Sequence, residues 1–196
     1  MITTKQIQQQ LWIIAGINGA GKTSFANKYL RGKIAIINPD EIAIQENIPP
    51  IQAGKIALQM RKTFIKQQNS FAIETTLSGI NEINLVKTCK QQGYKINLVY
   101  LYLSSTNLAN SRVMQRVENF GHDIPYQDIQ RRYPKSLKNL SLILQYVDRL
   151  FILDNSNQKT QLLCSKANDE IKYTSPNLES KLPSIAIQLK KLVEKI

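Results

Sequence analysis

Cysteine is scarce: Cys89 and Cys164 are the only two in 196 residues. They stand far apart without a C-x-x-C or metal-ligand spacing, which argues against a disulfide framework or a zinc site and for reduced, packed thiols. Long apolar runs are also missing, and nothing approaches the roughly 18 residues of a membrane span. The first ten residues, MITTKQIQQQ, lack the basic-then-apolar order of a signal peptide, so no membrane association and a cytoplasmic location are expected. Acid is short too. Fourteen Asp and Glu face 26 Lys and Arg, a net charge of +12. Such a chain attracts polyanions, which admits nucleic acid, a membrane surface or a phosphorylated small molecule. Lysines scattered over a solvated surface would explain much of the excess, but Arg112, Arg116, Arg131 and Arg132 gather in one short stretch.

What is present is a globular composition, 42% hydrophobic and 20% charged, in a length that buries a core as a single domain. Apolar runs at 11–15, 33–37, 71–73, 96–103 and 149–153 are continuous rather than alternating, as in strands buried on both faces. Helix-period segments lie between them, at about 22–31, 40–46, 52–68, 81–92 and 105–119, then two shorter ones at about 126–132 and 135–147. The alternation predicts an α/β fold: an open, mainly parallel five-stranded sheet flanked by helices, with ligands at the carboxyl ends of the strands. The core spans 10–157. Residues 158–196 add a hairpin turning near Asn168 and Asp169 and a final helix around 184–195.

Gly16 to Ser24 reads GINGAGKTS, between the apolar LWIIA and a helical segment. Gly16, Gly21, Lys22 and Thr23 fit G-x-x-x-x-G-K-[ST], in which backbone N–H groups wrap the phosphates of a nucleotide. Asn18, Gly19, Ala20 and Ser24 complete the expected cradle. The following helix aims its N-terminal dipole at the same anion, Lys22 reaches the β and γ phosphates, and the Thr23 hydroxyl takes Mg²⁺. ATP and Mg²⁺ are therefore the expected cofactors. A glycine-bearing turn alone would satisfy the bare pattern, but the strand before and helix after are the context the motif demands.

Carboxylates and arginines decide what is done to the phosphates. Asp40, in NPDEIA, stands past the second strand, where it could accept a proton from an attacking hydroxyl. Asn38 as N-cap, Pro39 at the first helical position and an acidic first turn account for the same residues as a helix start. In FAIETTLSG an apolar strand ends in Glu74, followed by the hydroxyls of Thr75, Thr76 and Ser78; an unpartnered carboxylate at such a buried end is costly, so a ligand is expected there. Arg112 and Arg116 share a helix face, and Arg131 and Arg132 follow the turn at Gly121 and Pro125. Arginines brought to a moving phosphoryl group can contribute about 10³–10⁵ in rate; pairing with Glu118 and Asp128 on a solvated surface is the plainer alternative. His122 reads as a turn residue or flap contact, Trp12 and Tyr133 as packing, and Asp154 to Ser156 as either a plain turn or an adenine contact.

GINGAGKTS, NPDEIA, ETTLSG, HDIP with RRYPKSLKNL, and DNS occur in order over about residues 10–157. In this the chain resembles the zeta-toxin-like P-loop kinases, in the branch labelled predicted ABC-type ATPases, although LSG at 77–79 is not an ABC signature. The resemblance implies phosphorylation of a hydroxyl of UDP-N-acetylglucosamine by ATP and Mg²⁺, with Asp40 as general base. It implies Glu74 and Thr76 in the substrate pocket, and Arg116 with Arg131 or Arg132 as the charge-stabilising pair. The better-known toxins carry Pro-Gly-Ser in the phosphate loop and Glu-Gly-Thr in place of Glu74-Thr75-Thr76. An antitoxin is a possible partner. Two other functions suit the residues: an ATP-hydrolysing nucleic-acid interaction protein, which needs only a positioned water, and a kinase acting on RNA 5′ ends.

Overall fold

The computed structural model describes residues 8–118, 123–168 and 170–194. Five strands, β1 (Gln10–Ala15), β2 (Ala35–Ile37), β3 (Phe71–Thr75), β4 (Lys95–Tyr102) and β5 (Arg149–Asp154), pair in parallel. The hairpin β6 (Gln161–Ala167) and β7 (Glu170–Thr174) adds to the edge of β5 in antiparallel pairing. The sheet therefore has seven strands in the order β2-β3-β1-β4-β5-β6-β7, not five. The C-terminal hairpin extends the parallel sheet because Phe151 to Leu153 leave a free strand edge that its backbone can satisfy.

Side chains alternate across β1. Leu11 and Ile13 pack with Ile37, Phe71, Ile73, Ile96 and Leu98 on one face; Ile14 packs with Ala72, Val99 and Leu101 on the other. The first face is covered by α3 (Pro50–Lys66), α4 (Ile80–Gln91), the end of α6 (Tyr126–Ile143) and α8 (Pro183–Val193), through residues such as Ala57, Val86, Leu140 and Ile185. The second is covered by α1 (Lys22–Tyr29) and α5 (Thr106–Glu118), through Ala26, Ala109 and Val113. Two short helices, α2 (Pro39–Gln45) and α7 (Leu178–Lys181), complete the set.

α6 departs from expectation. The sequence suggested two helices with a break before Pro134; the structure has one, with Pro134 inside it. An internal proline costs about 3 kcal/mol. Ile129, Leu140 and Ile143 are buried along the same helix, at about 1.5–3 kcal/mol each, so packing outweighs the lost hydrogen bond. The continuous helix starts against one face of the sheet at Ile129 and ends against the other at Leu140 and Ile143. It passes the carboxyl ends of the strands on the way: Tyr133 Oη donates to Leu103 O at 2.9 Å, and Tyr100 Oη lies 2.9 Å from Ser136 Oγ.

Candidate active site

β1 lies between β3 and β4, where strand order reverses, and the loop Gly16–Gly21 leaves its carboxyl end. Gly16 (φ +143°) and Gly19 (φ +76°) are required by space as well as by conformation. A Cβ on Gly16 would stand 2.4 Å from Leu101 O, and one on Gly19 2.6 Å from Ala109 O. The loop is thus pressed against β4 and α5, leaving its other side for a ligand. α1 opens at Lys22 with no side chain capping its first N–H groups, which leaves those donors and the positive dipole end facing the loop.

Lys22 Nζ donates to Ile17 O at 3.1 Å. Burial lowers its pKa from the ordinary 10.5 to about 8, while Glu74 and Asp40 act to raise it and Arg116 and Arg132 to lower it. Two acids and two arginines from four separate elements therefore act on the charge of one ammonium. Thr23 Oγ1 donates to Glu74 Oε2 at 2.7 Å. The pairing of Ile14 with Glu74 and Ala15 with Thr75 sets β3's last carboxylate beside the loop. Burial raises the Glu74 pKa, against the Thr23 hydrogen bond, Lys22 and Asn38, which lower it. Its other oxygen, Oε1, is buried without a partner, an arrangement that costs free energy until a proton or a ligand meets it.

Asn38 caps α2, accepting from Asp40 N at 3.0 Å, and this cap leaves the Asp40 side chain exposed. Thr75 and Thr76 turn inward on their own loop: Thr75 Oγ1 accepts from Leu77 N at 2.9 Å, and Thr76 Oγ1 lies 2.8 Å from Ser78 Oγ. Leu77 is held at φ +56°, and Asn139 of α6 donates to the carbonyls of Leu77 and Gly79 at 3.0 and 3.2 Å.

The neighbouring arginines of α6 part company. Arg132 Nη1 donates to Asn18 Oδ1 of the loop at 3.1 Å, with Nη2 3.4 Å from Asp128 Oδ2. Arg131 is exposed, pairs with Asp128 Oδ1 at 2.7 Å, and is not brought to the loop. The Arg131 hydrogen bond foremost holds the Asp128 carboxyl below its usual range. Arg112 Nη2 lies 3.4 Å from Ser156 O, so it reaches the segment after β5. Arg116 and Ser24 are exposed beside the loop region, and Asn18 is buried within it. His122 falls outside the described residues.

Asn155 falls within the segment that the sequence offers as a plain turn or an adenine contact, and its hold on the loop is not foreseen there. Its Nδ2 donates to Ala20 O at 2.9 Å, and Thr160 Oγ1 holds its Oδ1 at 2.7 Å. The segment after β5 thus clamps the loop's own backbone. Only the DNS after a buried strand signalled it, and nothing local distinguished a clamp from a turn. Asp154, just before, is buried against Lys181 and Ser156.

Residues 1–166 match the zeta toxin family. The chain belongs to that family. An uncharacterised protein of Haemophilus influenzae is 30% identical over 139 residues, 65% of this chain and 99% of that protein. Two solved structures share the fold of this zeta toxin relative. The AvrRxo1-ORF1:AvrRxo1-ORF2 complex superposes with a TM-score of 0.72 at 16% identity, over 96% of this chain and 76% of that one. The PezAT chromosomal toxin–antitoxin system of Streptococcus pneumoniae superposes with 0.63 at 18% identity, over 96% and 88%.

Proposed function

We propose that the chain is an ATP-dependent kinase that transfers the γ-phosphoryl group to a hydroxyl of a nucleotide-sugar such as UDP-N-acetylglucosamine. The observation that carries this reading is the uncapped phosphate loop with Glu74 on Thr23 at 2.7 Å, Arg132 on Asn18 at 3.1 Å and Asp40 exposed in the first turn of α2. A switch that only positions water has no use for an exposed carboxylate set beside the cradle by its own helix cap, whereas a kinase needs a base at an acceptor. ATP is supported by the loop geometry and by the related AvrRxo1 complex, which has been crystallised with ATP.

Backbone N–H groups of Gly19 to Thr23 would bind the phosphates, and Lys22 would exchange Ile17 O for a phosphate oxygen. Asp40 would take the acceptor's proton. Arg132, already fixed to Asn18, and Arg116 would meet the charge that spreads over the moving phosphoryl group. Thr23 and Glu74 present oxygens only, one of them an orphaned buried carboxylate oxygen, which fits Mg²⁺. Among the described residues no three His, Cys, Asp or Glu side chains gather into an all-protein metal site, as expected where phosphates and waters supply the remaining ligands. Mg²⁺ when bound would neutralise charge on the β and γ oxygens. Thr75 and Thr76 would shape the acceptor pocket through the β3 turn, and Arg112 would order the segment that clamps Ala20.

The buried, reduced cysteines suit a cytoplasmic enzyme, and an antitoxin is a reasonable partner given the PezAT relative. The test is incubation of the chain with ATP, Mg²⁺ and separate UDP-sugars, nucleosides and RNA oligomers. The expected result is a UDP-sugar heavier by one phosphate. A phosphate added only to RNA 5′ ends would favour the second reading, which the net charge of +12 supports; ATP hydrolysis with no acceptor modified would contradict both.

A further inference from the structure

The two faces of the sheet are unequally covered. One carries α3, α4, the end of α6 and α8; the other carries α1, α5 and only the start of α6. Across β1, β4 and β5 this second face is left open as a groove of about 720 Å³, lined by Trp12, Phe25, Tyr29, Val99, Phe151 and Leu153. Tyr29 is 46% and Phe151 38% exposed, although both are large ring residues that gain from burial. The groove is separate from the phosphate loop: it reaches from Trp12, near the start of β1, and Arg149, which opens β5, to Leu153, and none of Gly16–Ser24 lines it. It belongs to no part of the catalytic reading.

Its charge is one-sided. Lys33 and Arg149 stand at its rim, and none of its lining residues is acidic. Lys28 lies over the outer ring, 5.3 Å from the Tyr29 centroid. Among the described residues, the ion pairs of this region bind Arg31 to Glu41 and leave Lys33 and Arg149 without a carboxylate. A parallel sheet in this class of fold is covered by helices on both faces, so the strip that α1, α5 and the start of α6 leave open is placed to take one more helix. The residues before Gln8, MITTKQI, carry a lysine and no acid, which does not complement that rim.

We propose that this groove docks one amphipathic helix of a partner protein, whose apolar stripe at i, i+3, i+4 and i+7 covers Trp12 and Phe151 and whose flanking Asp or Glu residues pair with Lys33 and Arg149. Apolar contact supplies the affinity and the cationic rim selects the acidic flank.

Trp12 is the chain's single tryptophan, so its emission reports this groove alone. The probe is a library of tryptophan-free helical peptides of about 18 residues, long enough to hold helix, with stripe positions varied among Leu, Ile, Phe and Met and flanks varied among Glu, Ser and Lys. The expected result is enrichment of Glu flanks on an intact stripe and a saturable blue shift of Trp12. Phe151→Asp should weaken binding at least tenfold, and the double variant Lys33→Glu, Arg149→Glu should reverse the preference to Lys flanks. Circular dichroism and the melting curve of each variant establish that it is folded; Tyr29→Ser serves in place of Phe151→Asp if the latter is not. Selection without a stripe, indifference to flank charge, or binding that survives both groove variants would overturn the proposal. So would dimerisation of the wild-type chain abolished by Phe151→Asp, which would assign the groove to a second copy, or displacement of the selected peptides by dodecanoate at lower concentration, which would assign it to an acyl anion.

Discussion

Replacing the phosphate-binding lysine with a neutral isostere should make the empty protein more stable. Burial holds Lys22 at about 8 instead of 10.5, so keeping it charged in the folded state at neutral pH costs about 3 kcal/mol. Lys22→Met removes that cost and also the hydrogen bond to Ile17 O, worth about 1 kcal/mol. The net expectation is a gain of about 2 kcal/mol at pH 7. The sign follows from linkage: between about pH 8 and 10.5 the unfolded chain holds the Lys22 proton and the folded chain has released it, so wild-type stability rises with pH through that window. The advantage of Lys22→Met should therefore shrink above pH 8, vanish near about 9.5, and give way near about 10.5 to a deficit of about 1 kcal/mol from the lost hydrogen bond. Urea unfolding of both proteins at pH 7 and pH 9.5 measures it, and titrating groups that do not interact with Lys22 cancel in the difference. A variant that is less stable at both values, or equally advantaged at both, would refute the reasoning. The same substitution should abolish turnover, because the charge that burdens the empty loop is the one the phosphates require.

Gly19→Ala should lose nucleotide binding and destabilise the fold by about 1–3 kcal/mol, since its Cβ would meet Ala109 O at 2.6 Å with φ at +76°; isothermal titration and urea melts check both. Arg132→Ala should lower kcat by about 10³ with a smaller change in KM; Arg131→Ala, removing a residue that pairs with Asp128, should change kcat less than tenfold. Steady-state kinetics separate the two. Ser136→Ala should cost about 1–3 kcal/mol by stranding the buried Tyr100 hydroxyl, while leaving kcat intact.

The phosphate loop was legible because its glycines answer a steric demand that any sequence placing backbone this close to β4 must meet. The parallel core was legible for a similar reason: β3 is buried at every position, so its apolar run, FAI, is unbroken up to Glu74. Where sequence fell short, the deciding interaction was tertiary. Pro134 marks a break by local rules, and only the apolar residues on both sides of it carry α6 through. Arg131 and Arg132 are identical in type and adjacent, but one residue turns a side chain by about 100° around a helix, and the position of α6 over the loop decides which one meets Asn18. The β6–β7 hairpin was visible as a hairpin, yet its docking on β5 depends on a strand edge that no local pattern records. Asn155 reads as a turn residue until the fold sets it 2.9 Å from Ala20 O. Glu74 was singled out for the cost of burying it, and the structure gives that cost a location in the unpartnered Oε1 beside Thr23.

The central claim is that a carboxylate beside the gripped phosphates readies an alcohol for attack, and Asp40→Asn tests it most directly. With ATP, Mg²⁺ and the acceptor found in the panel, rapid-quench single-turnover measurement should give unchanged ATP affinity and a transfer rate lower by at least about a hundredfold. Transfer at close to the wild-type rate would leave Asp40 as no more than part of a helix start and contradict the account.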